Sequence, residues 1–391
     1  MKKDIVVIGA GPAGLSLACS LADSSLELLI VERQDSEKLY DPRFDGREIA
    51  LTHLSRKILE DMDVWYGMPT DEIYSIKEAR VLDGDSPYTL QFDRSDISED
   101  ILGYIVSNHL IRRALYDKAT SLDNVELLTE VSVTNVQTNE GGATISLSNG
   151  NTVKASLVVS ADSRFSEIRR MMGISADLHD FGRVCIVCRM RHERSHEGIS
   201  HECFFYGQTL AVLPLSDRES SIVITVSPGK ADHIMGMNRH EFNRHVEVQF
   251  KGKLGRMEIT SDRYSYPLVA VWASRFAGQR FALIGDAAVG MHPVTAHGFN
   301  LGLRSQHTLA RLISAATQSG VDIGSVGLLN QYHSSHRRVA RPIYLGTNAI
   351  VKLFTNDRPL HRLARKAVLR FGNIFPPIRN GITRQLTETG G

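Results

Sequence analysis

Residues 1–34, MKKDIVVIGAGPAGLSLACSLADSSLELLIVERQ, decide the architecture. Ile5, Val6, Val7 and Ile8 form the continuous apolar run expected of a strand buried on both faces. Gly9, Gly11 and Gly14 follow with G-x-G-x-x-G spacing, and Pro12 and Ala13 open a helical stretch that runs to about Ala22. LELLIV, over 26–31, reads as a second strand. The first glycine permits a tight turn, the second lets backbone approach a pyrophosphate, and the third lets helix pack on strand. The helix N-terminus then faces the phosphates with its partial positive charge. Glu32 ends the second strand, where a carboxylate meets the ribose hydroxyls of an adenosine, and Arg33 follows it. The pattern predicts an α/β fold with a Rossmann-like, doubly wound domain that holds a dinucleotide. It also explains the lysine-led apolar start better than a secretion signal does.

The rest of the chain extends that reading. Over 157–174, LVVSADSRFSEIRRMMGI is an apolar strand ending near Asp162. Over 280–313, RFALIGDAAVGMHPVTAHGFNLGLRSQHTLARLI is another, ending in Gly285-Asp286 and followed by a loop and a helix that opens near Gly298. Asp286 is placed to accept from a ribityl or ribose hydroxyl. The helix start at Gly298–Asn300 can direct its positive end at a flavin ring, which turns anionic on reduction. No second G-x-G-x-x-G is present for a nicotinamide domain, so these two motifs favour FAD over NAD as the bound dinucleotide. Between them, alternating segments such as RVCIVCRMR and SIVITVS predict an inserted sheet-rich domain. The expected division is a discontinuous FAD-binding domain over 1–75, 101–180 and 270–335. A substrate-binding sheet domain takes 76–100 and 181–269, and a C-terminal helical segment takes 336–391.

These motifs, with GREIALTHLSRKILEDMDVW over 46–65, resemble the single-component FAD-dependent aromatic hydroxylases. The resemblance covers nearly the whole chain. It is closest to the ubiquinone-biosynthesis branch, the UbiH, UbiF, VisC and UbiM-like proteins, and His297-Gly298-Phe299-Asn300 resembles the UbiM-like subgroup. It implies an NAD(P)H-dependent FAD monooxygenase that hydroxylates the ring of a polyprenylated phenol or quinol by way of a flavin hydroperoxide. On that mapping Gly9, Gly11, Gly14 and Glu32 hold the AMP half of FAD. Arg47 lies near the flavin phosphates and ring, Asn108 contacts the cofactor, and Asp162 belongs to the second motif. Asp286 holds the ribityl–pyrophosphate region, and Pro293, Gly298, Phe299 and Asn300 line the ring. Four departures stand out: Ser163 where the family has glycine, Val289 where it has histidine, Ala296-His297 where it has Gly-Gln, and Ser305 where it has an acid. They leave open which ring position is hydroxylated. They also keep in view a non-catalytic flavin-binding accessory protein, and an FAD hydroxylase of a soluble aromatic is a further alternative.

Such chemistry needs no metal and no protein nucleophile. His292 and His297 are the candidates for moving a proton beside the flavin. Cys185 and Cys188 form C-x-x-C, but inside an alternating strand, which sends them to opposite faces. His192, His196, His201 and Cys203 lack the paired spacing of a zinc site. Four cysteines in 391 residues predict a reducing, cytoplasmic setting rather than a disulfide scaffold. Nothing in the composition calls for a nucleic-acid partner, and no apolar run reaches the length that crosses a bilayer.

The net charge of +1 hides an asymmetry. Residues 331–391 hold eleven Lys and Arg against Asp357 and Glu388, whereas the preceding 330 residues carry a net −8. Leu360, Leu363, Ala364, Ala367, Val368 and Phe371 share one face of a helical wheel, and Arg362, Arg365, Lys366 and Arg370 share the other. That basic amphipathic helix suits either docking on an acidic body or contact with the inner face of a membrane, where quinone-biosynthesis partner proteins would also be met.

Overall fold

The computed structural model describes residues 1–84, 89–93, 100–205, 207–293 and 296–355, with Arg365, Thr387 and Glu388. It opens with β1 (Lys2–Ile8), α1 (Pro12–Ser20) and β2 (Leu28–Val31). β2 lies parallel to β1 in the register Ile5↔Leu28 to Ile8↔Val31, the crossover that the glycine turn makes possible. Next come α2 (Ser36–Tyr40), β3 (Glu48–Leu51) and α3 (His53–Asp61), the last capped by the Thr52 side chain, which accepts from the Ser55 N–H. β4 (Ile73–Ile76), β5 (Glu78–Asp83), β6 (Thr89–Asp93) and β7 (Gly103–Ser107) lead to α4 (Asn108–Thr120) and β8 (Val125–Leu128). A hairpin of β9 (Val133–Asn139) and β10 (Gly142–Leu147) feeds β11 (Thr152–Ser160) and the short α5 (Glu167–Met171).

The antiparallel half then unrolls. It comprises β12 (Ala176–His192), β13 (Ile199–Phe205), β14 (Gln208–Pro214), β15 (Glu219–Val226), α6 (Pro228–Gly236), α7 (Arg239–Gln249), β16 (Met257–Ile259) and β17 (Tyr264–Ala273). The chain returns through β18 (Ala277–Gly278), β19 (Phe281–Leu283) and β20 (Val289–Gly290) to two long helices, α8 (His297–Gln318) and α9 (Val326–Thr355).

Three sheets result. The first carries the parallel order β19-β11-β1-β2-β8, with β18, β9 and β10 paired at its margin. β2, β19 and the inner parts of β1 and β11 are buried on both faces, with α1, α4 and α8 contributing Leu15, Leu115 and Leu301 to the same core. The second runs β20-β17-β12-β15-β14-β13-β5-β6, with β16 added on β12. β5 and β6 enter it from early in the chain, β5 lying parallel to β13. Its outer face is covered by α6 and α7, where Ile186, Cys188, Ile222, Phe242 and Val246 form a separate core. The third sheet, β3-β7-β4, stands between the other two.

No described helix is long and apolar enough to cross a membrane. The basic amphipathic helix expected over 360–375 lies outside the described residues apart from Arg365. Arg365, on the basic side of the wheel, is fully buried, 3.4 Å from Asp83 on β5, and its Nε donates to the Leu353 carbonyl at 2.8 Å. A buried guanidinium needs a carboxylate and an acceptor, and this one finds both inside the protein.

Candidate flavin site

The three glycines of the first turn divide their work as their spacing predicts. Gly9 has φ +106°, and a Cβ there would lie 2.7 Å from the Ala161 carbonyl oxygen. A Cβ on Gly14 would lie 2.0 Å from the Gly9 carbonyl oxygen, so α1 seats directly on the turn. Around Gly11 nothing comes within 4 Å of such an atom. That open space fronts the first turn of α1, which has no side-chain cap to satisfy its N–H groups. Half-buried Pro12 and Ala13 form the wall of the turn. Glu32 stands beside it, accepting from the N–H groups of Ala10 at 2.8 Å and Gln34 at 2.9 Å, while Arg33 is exposed.

The second and third motifs converge on the same turn. Gly285 has φ +59°, and its Cα face packs so closely on Ala13 that a Cβ would come within 2.7 Å of the Ala13 Cβ. Asp286 is held by Arg164 at 2.9 Å, and the Arg164 Nη1 also donates to the Val269 carbonyl. Asp162 accepts from the Ser160 hydroxyl at 2.6 Å and the Glu167 N–H at 3.0 Å, so its carboxylate organises the loop that leads into α5. Arg169 is buried and donates to the carbonyls of Arg164 and Ala287, tying the two loops together. Ser305, in α8, accepts from the Gly285 N–H at 2.9 Å and fixes the glycine from below.

A polar cluster that was only half legible stands opposite. Arg47 pairs with Asp45 at 2.5 Å, and Asp45 also accepts from the Asn108 side chain at 2.9 Å. Burial alone would push the Asp45 carboxyl up, but Arg47 and Asn108 hold it below the usual carboxylate range. The Arg47 guanidinium lies 5.4 Å from the Tyr266 ring centre, and the Tyr266 hydroxyl donates to the Asp45 carbonyl at 2.7 Å. Arg112, one turn along α4 from Asn108, feels the charges of Arg47, Asp45 and Glu32. Burial and Arg47 lower its pKa, and it forms no ion pair among the described residues. From sequence, Arg112 reads as a solvated helix position or as a contact to a cofactor phosphate, and nothing singles out Asp45. Arg112, which feels Glu32, and Arg47, which feels Asp286, suit a pyrophosphate.

The start of α8 completes the site. Ala296, at its N-cap, sits in the left-handed region at φ +54°, and no side chain caps the helix. Gly298 has open space around its missing Cβ, Phe299 is half-buried, and Pro293 is exposed. Asn300 is buried, but its amide is committed to backbone. It donates to the Ala50 and Ala296 carbonyls and accepts from the Thr52 N–H, so it pins α8 to β3 rather than offering polar atoms to a ring. His297 is the first residue of α8 and is buried. His292 is buried with its ring edge-on to Phe181 at 4.8 Å, and burial pushes its pKa down to about 4, so it is neutral at working pH.

The residues present fit FAD. The space at Gly11 and at Gly298, the uncapped starts of α1 and α8, and Glu32 on the ribose side make a cradle that a Cβ at either glycine would begin to fill. No three His, Cys, Asp or Glu side chains group as metal ligands among the described residues. His192 is occupied by the Arg194 carbonyl and the Ser220 hydroxyl. Cys185 and Cys188 point to opposite faces of β12 and join different apolar clusters. All four cysteines are buried and free, and burial pushes the thiols of Cys19, Cys185, Cys188 and Cys203 up to about 12. Native protein treated with iodoacetamide at pH 8 should therefore remain unmodified by mass, while unfolded protein takes up four labels.

Comparison with known proteins agrees with this geometry. Residues 2–345 match the family model of the FAD binding domain. The chain is 49% identical to the ubiquinone hydroxylase UbiM of Neisseria meningitidis serogroup C, over 99% of this chain and 85% of that protein. It is 34% identical to the ubiquinone hydroxylase UbiL of Rhodospirillum rubrum, over 94% of this chain and 86% of that one. Among solved structures, p-nitrophenol 4-monooxygenase PnpA from Pseudomonas putida DLL-E4 superposes with a TM-score of 0.78 at 17% identity, covering 99% of this chain and 98% of that one, a likeness of fold. With its glycine turn open in front of α1 and its sequence matched end to end, the chain belongs to the FAD-binding domain family and to the ubiquinone hydroxylases within it.

Proposed function

We propose that the protein is an FAD-dependent monooxygenase that hydroxylates the aromatic ring of a polyprenylated phenol or quinol during ubiquinone synthesis, with NAD(P)H as electron donor. The observation that carries this reading is the meeting of an open dinucleotide cradle with an apolar sheet face. Val187 and Tyr264 of the antiparallel sheet close on Gly46, beside Arg47, where a Cβ would lie 2.8 Å and 2.6 Å from them. Gly9, Gly11, Gly14 and Glu32 would hold the AMP half, with Arg47, Arg112 and Asp286 around the phosphates and ribityl chain. Asn108 reaches the cofactor through Asp45, and Asp162 supports the loop that carries Arg164. Gly298 and Phe299, at the start of α8, would meet the ring, with Pro293 beside them. When bound and reduced, FAD supplies the activation of dioxygen.

The chain's own residues do the rest. The uncapped start of α8 stabilises negative charge placed before it. Neutral His292 is positioned to give or take a hydrogen bond without carrying charge into an apolar site, and buried His297 stands at the start of α8. Phe181, Tyr266, Leu268 and Val187 exclude water from the sheet side. The division into an FAD-binding body and a substrate-binding sheet belongs to the same proposal. So do a peripheral contact with the inner membrane face and association with quinone-biosynthesis partners.

The test is turnover by FAD-loaded protein. With NADH or NADPH, oxygen and 2-farnesylphenol, the product should gain one oxygen atom drawn from labelled dioxygen. Excess EDTA should leave the rate unchanged, because no step uses a metal. Oxidation of NAD(P)H without any oxygenated product would favour the accessory-protein reading.

A further inference from the structure

Glu202 is the group that the flavin site leaves unused. One hydrogen-bonded row crosses the antiparallel sheet as Tyr264, Val187, Val223, Ala211, Glu202, Val81 and Leu90, each directly opposite the next. Members of such a row share one face of a sheet. The neighbours of Glu202 on β13 point the other way: the His201 ring meets Phe250, behind α7, at 5.2 Å, and Cys203 lies in the core under α6 and α7. Glu202 therefore faces away from those helices, on the side where Val187 and Tyr264 close on Gly46. It is the one carboxylate in the row, half-buried, and its side chain has neither a hydrogen bond nor an ion pair among the described residues.

The groups around it do not neutralise it. β12 presents the Cys185 thiol and β17 the Tyr264 phenol, both with pKa values raised chiefly by burial. At the end of β5, Asp83 is already paired with Arg365. β14 offers Thr209, Ala211 and Leu213, and β15 Val223, none of which is charged. Burial among apolar neighbours pushes the Glu202 carboxyl up to about 8. A carboxylate desolvated to that extent is a far better match for a phenol than an exposed one, and a better base than a histidine pushed down to about 4.

Building on the hydroxylase reading, we propose that Glu202 is a catalytic residue that accepts the proton of the substrate's ring hydroxyl. In this step the phenolic O–H bond breaks, the proton passes to a Glu202 carboxylate oxygen, and the electron pair stays on the phenolic oxygen. The ring gains electron density at its ortho and para carbons, where a hydroxylation needs it. No oxidant or reductant enters this step. Because the carboxylate is the active form, the rate rises with pH and levels off above about 8.

The experiment uses the FAD-loaded protein with 2-farnesylphenol as probe. Glu202→Gln should keep its FAD content and melting temperature and hold KM within threefold, while kcat falls about a hundredfold and the rising limb of the pH profile disappears. Glu202→Asp should recover part of kcat with the limb displaced. A Gln variant whose kcat stays within threefold of the parent at both pH 7 and pH 9 overturns the proposal. Infrared difference spectra give an answer that needs no turnover. The parent should show a protonated-carboxyl band at pH 6 that is absent in Glu202→Gln and that shifts when the phenol binds. A band indifferent to the phenol overturns the assignment even if the enzyme is active. If the band shifts but no hydroxylated product forms, the contact with the phenol stands and the hydroxylase reading falls.

Discussion

Replacing Gly11 with valine should yield folded protein without its yellow cofactor. The structure leaves the space around a Cβ at Gly11 empty to 4 Å, so the side chain meets no protein atom and the polypeptide has no reason to rearrange. It enters the volume before the uncapped start of α1, which a pyrophosphate needs. FAD affinity should drop at least a hundredfold, about 2.7 kcal/mol. The melting temperature should match that of parent protein stripped of FAD, since the whole difference from holoprotein is lost ligand stabilisation. Gly14 supplies the contrast. A Cβ there would stand 2.0 Å from backbone oxygen, an approach that cannot be relieved by rotating a side chain. Gly14→Ala must lift α1 off β1 and disturb Leu15, Leu17 and Ala18, all buried in the main core. A cost on the order of 4 kcal/mol or more follows, read as loss of soluble folded protein. Equal FAD content in Gly11→Val and parent would mean that the cofactor does not use this turn.

The difference between these glycines marks how far the sequence can be read. Local chemistry was legible: G-x-G-x-x-G, the acid at the end of β2 and Gly285-Asp286 each encode their role within a few residues, and β1, α1 and β2 formed where the apolar runs put them. Alternation likewise sent Cys185 and Cys188 to opposite faces of β12. What was not legible depends on partners far along the chain. Asp45 gains its importance from Asn108, 63 positions away, and Arg112 from the charges of Arg47 and Glu32. Asn300 looks like a cofactor residue by position, yet Ala50 and Thr52 from another element claim its amide. A helical wheel reports only which residues share a side, so it could not know that Asp83 would draw Arg365 inside. Glu202 drew no notice because, in sequence, a glutamate among strand residues looks like any solvent-facing position. Its meaning comes from the strands paired around it, β14 and β5 directly and β15 and β12 beyond.

Arg189→Met should cost about 3–5 kcal/mol, the range for stranding one member of a buried ion pair. Arg189, on β12, donates from Nε to Glu48 at 2.8 Å and from Nη2 to the Ser107 hydroxyl at 2.6 Å, and its guanidinium lies 4.9 Å from the Phe44 ring centre. Glu48 and Ser107 belong to β3 and to the end of β7, so this cation ties the antiparallel sheet to the strands next to Arg47 and Asn108 in the chain. The Glu48 side chain is fully buried, and burial raises its pKa although Arg189 pulls in the opposite direction. A carboxyl whose folded pKa is raised contributes stability below its unfolded pKa and loses it as pH climbs through the folded value. Removing Arg189 raises the folded value further. The deficit of Arg189→Met should therefore be largest at pH 8 and shrink as pH falls toward 5, where Glu48 takes up a proton and no longer needs a cation. Adding Glu48→Gln to Arg189→Met should remove most of both the deficit and its pH dependence. Thermal melts of the parent, the single variant and the double variant across that range decide the matter. A deficit that does not change with pH would assign the loss to the missing contact with Phe44 and to packing, not to the stranded charge.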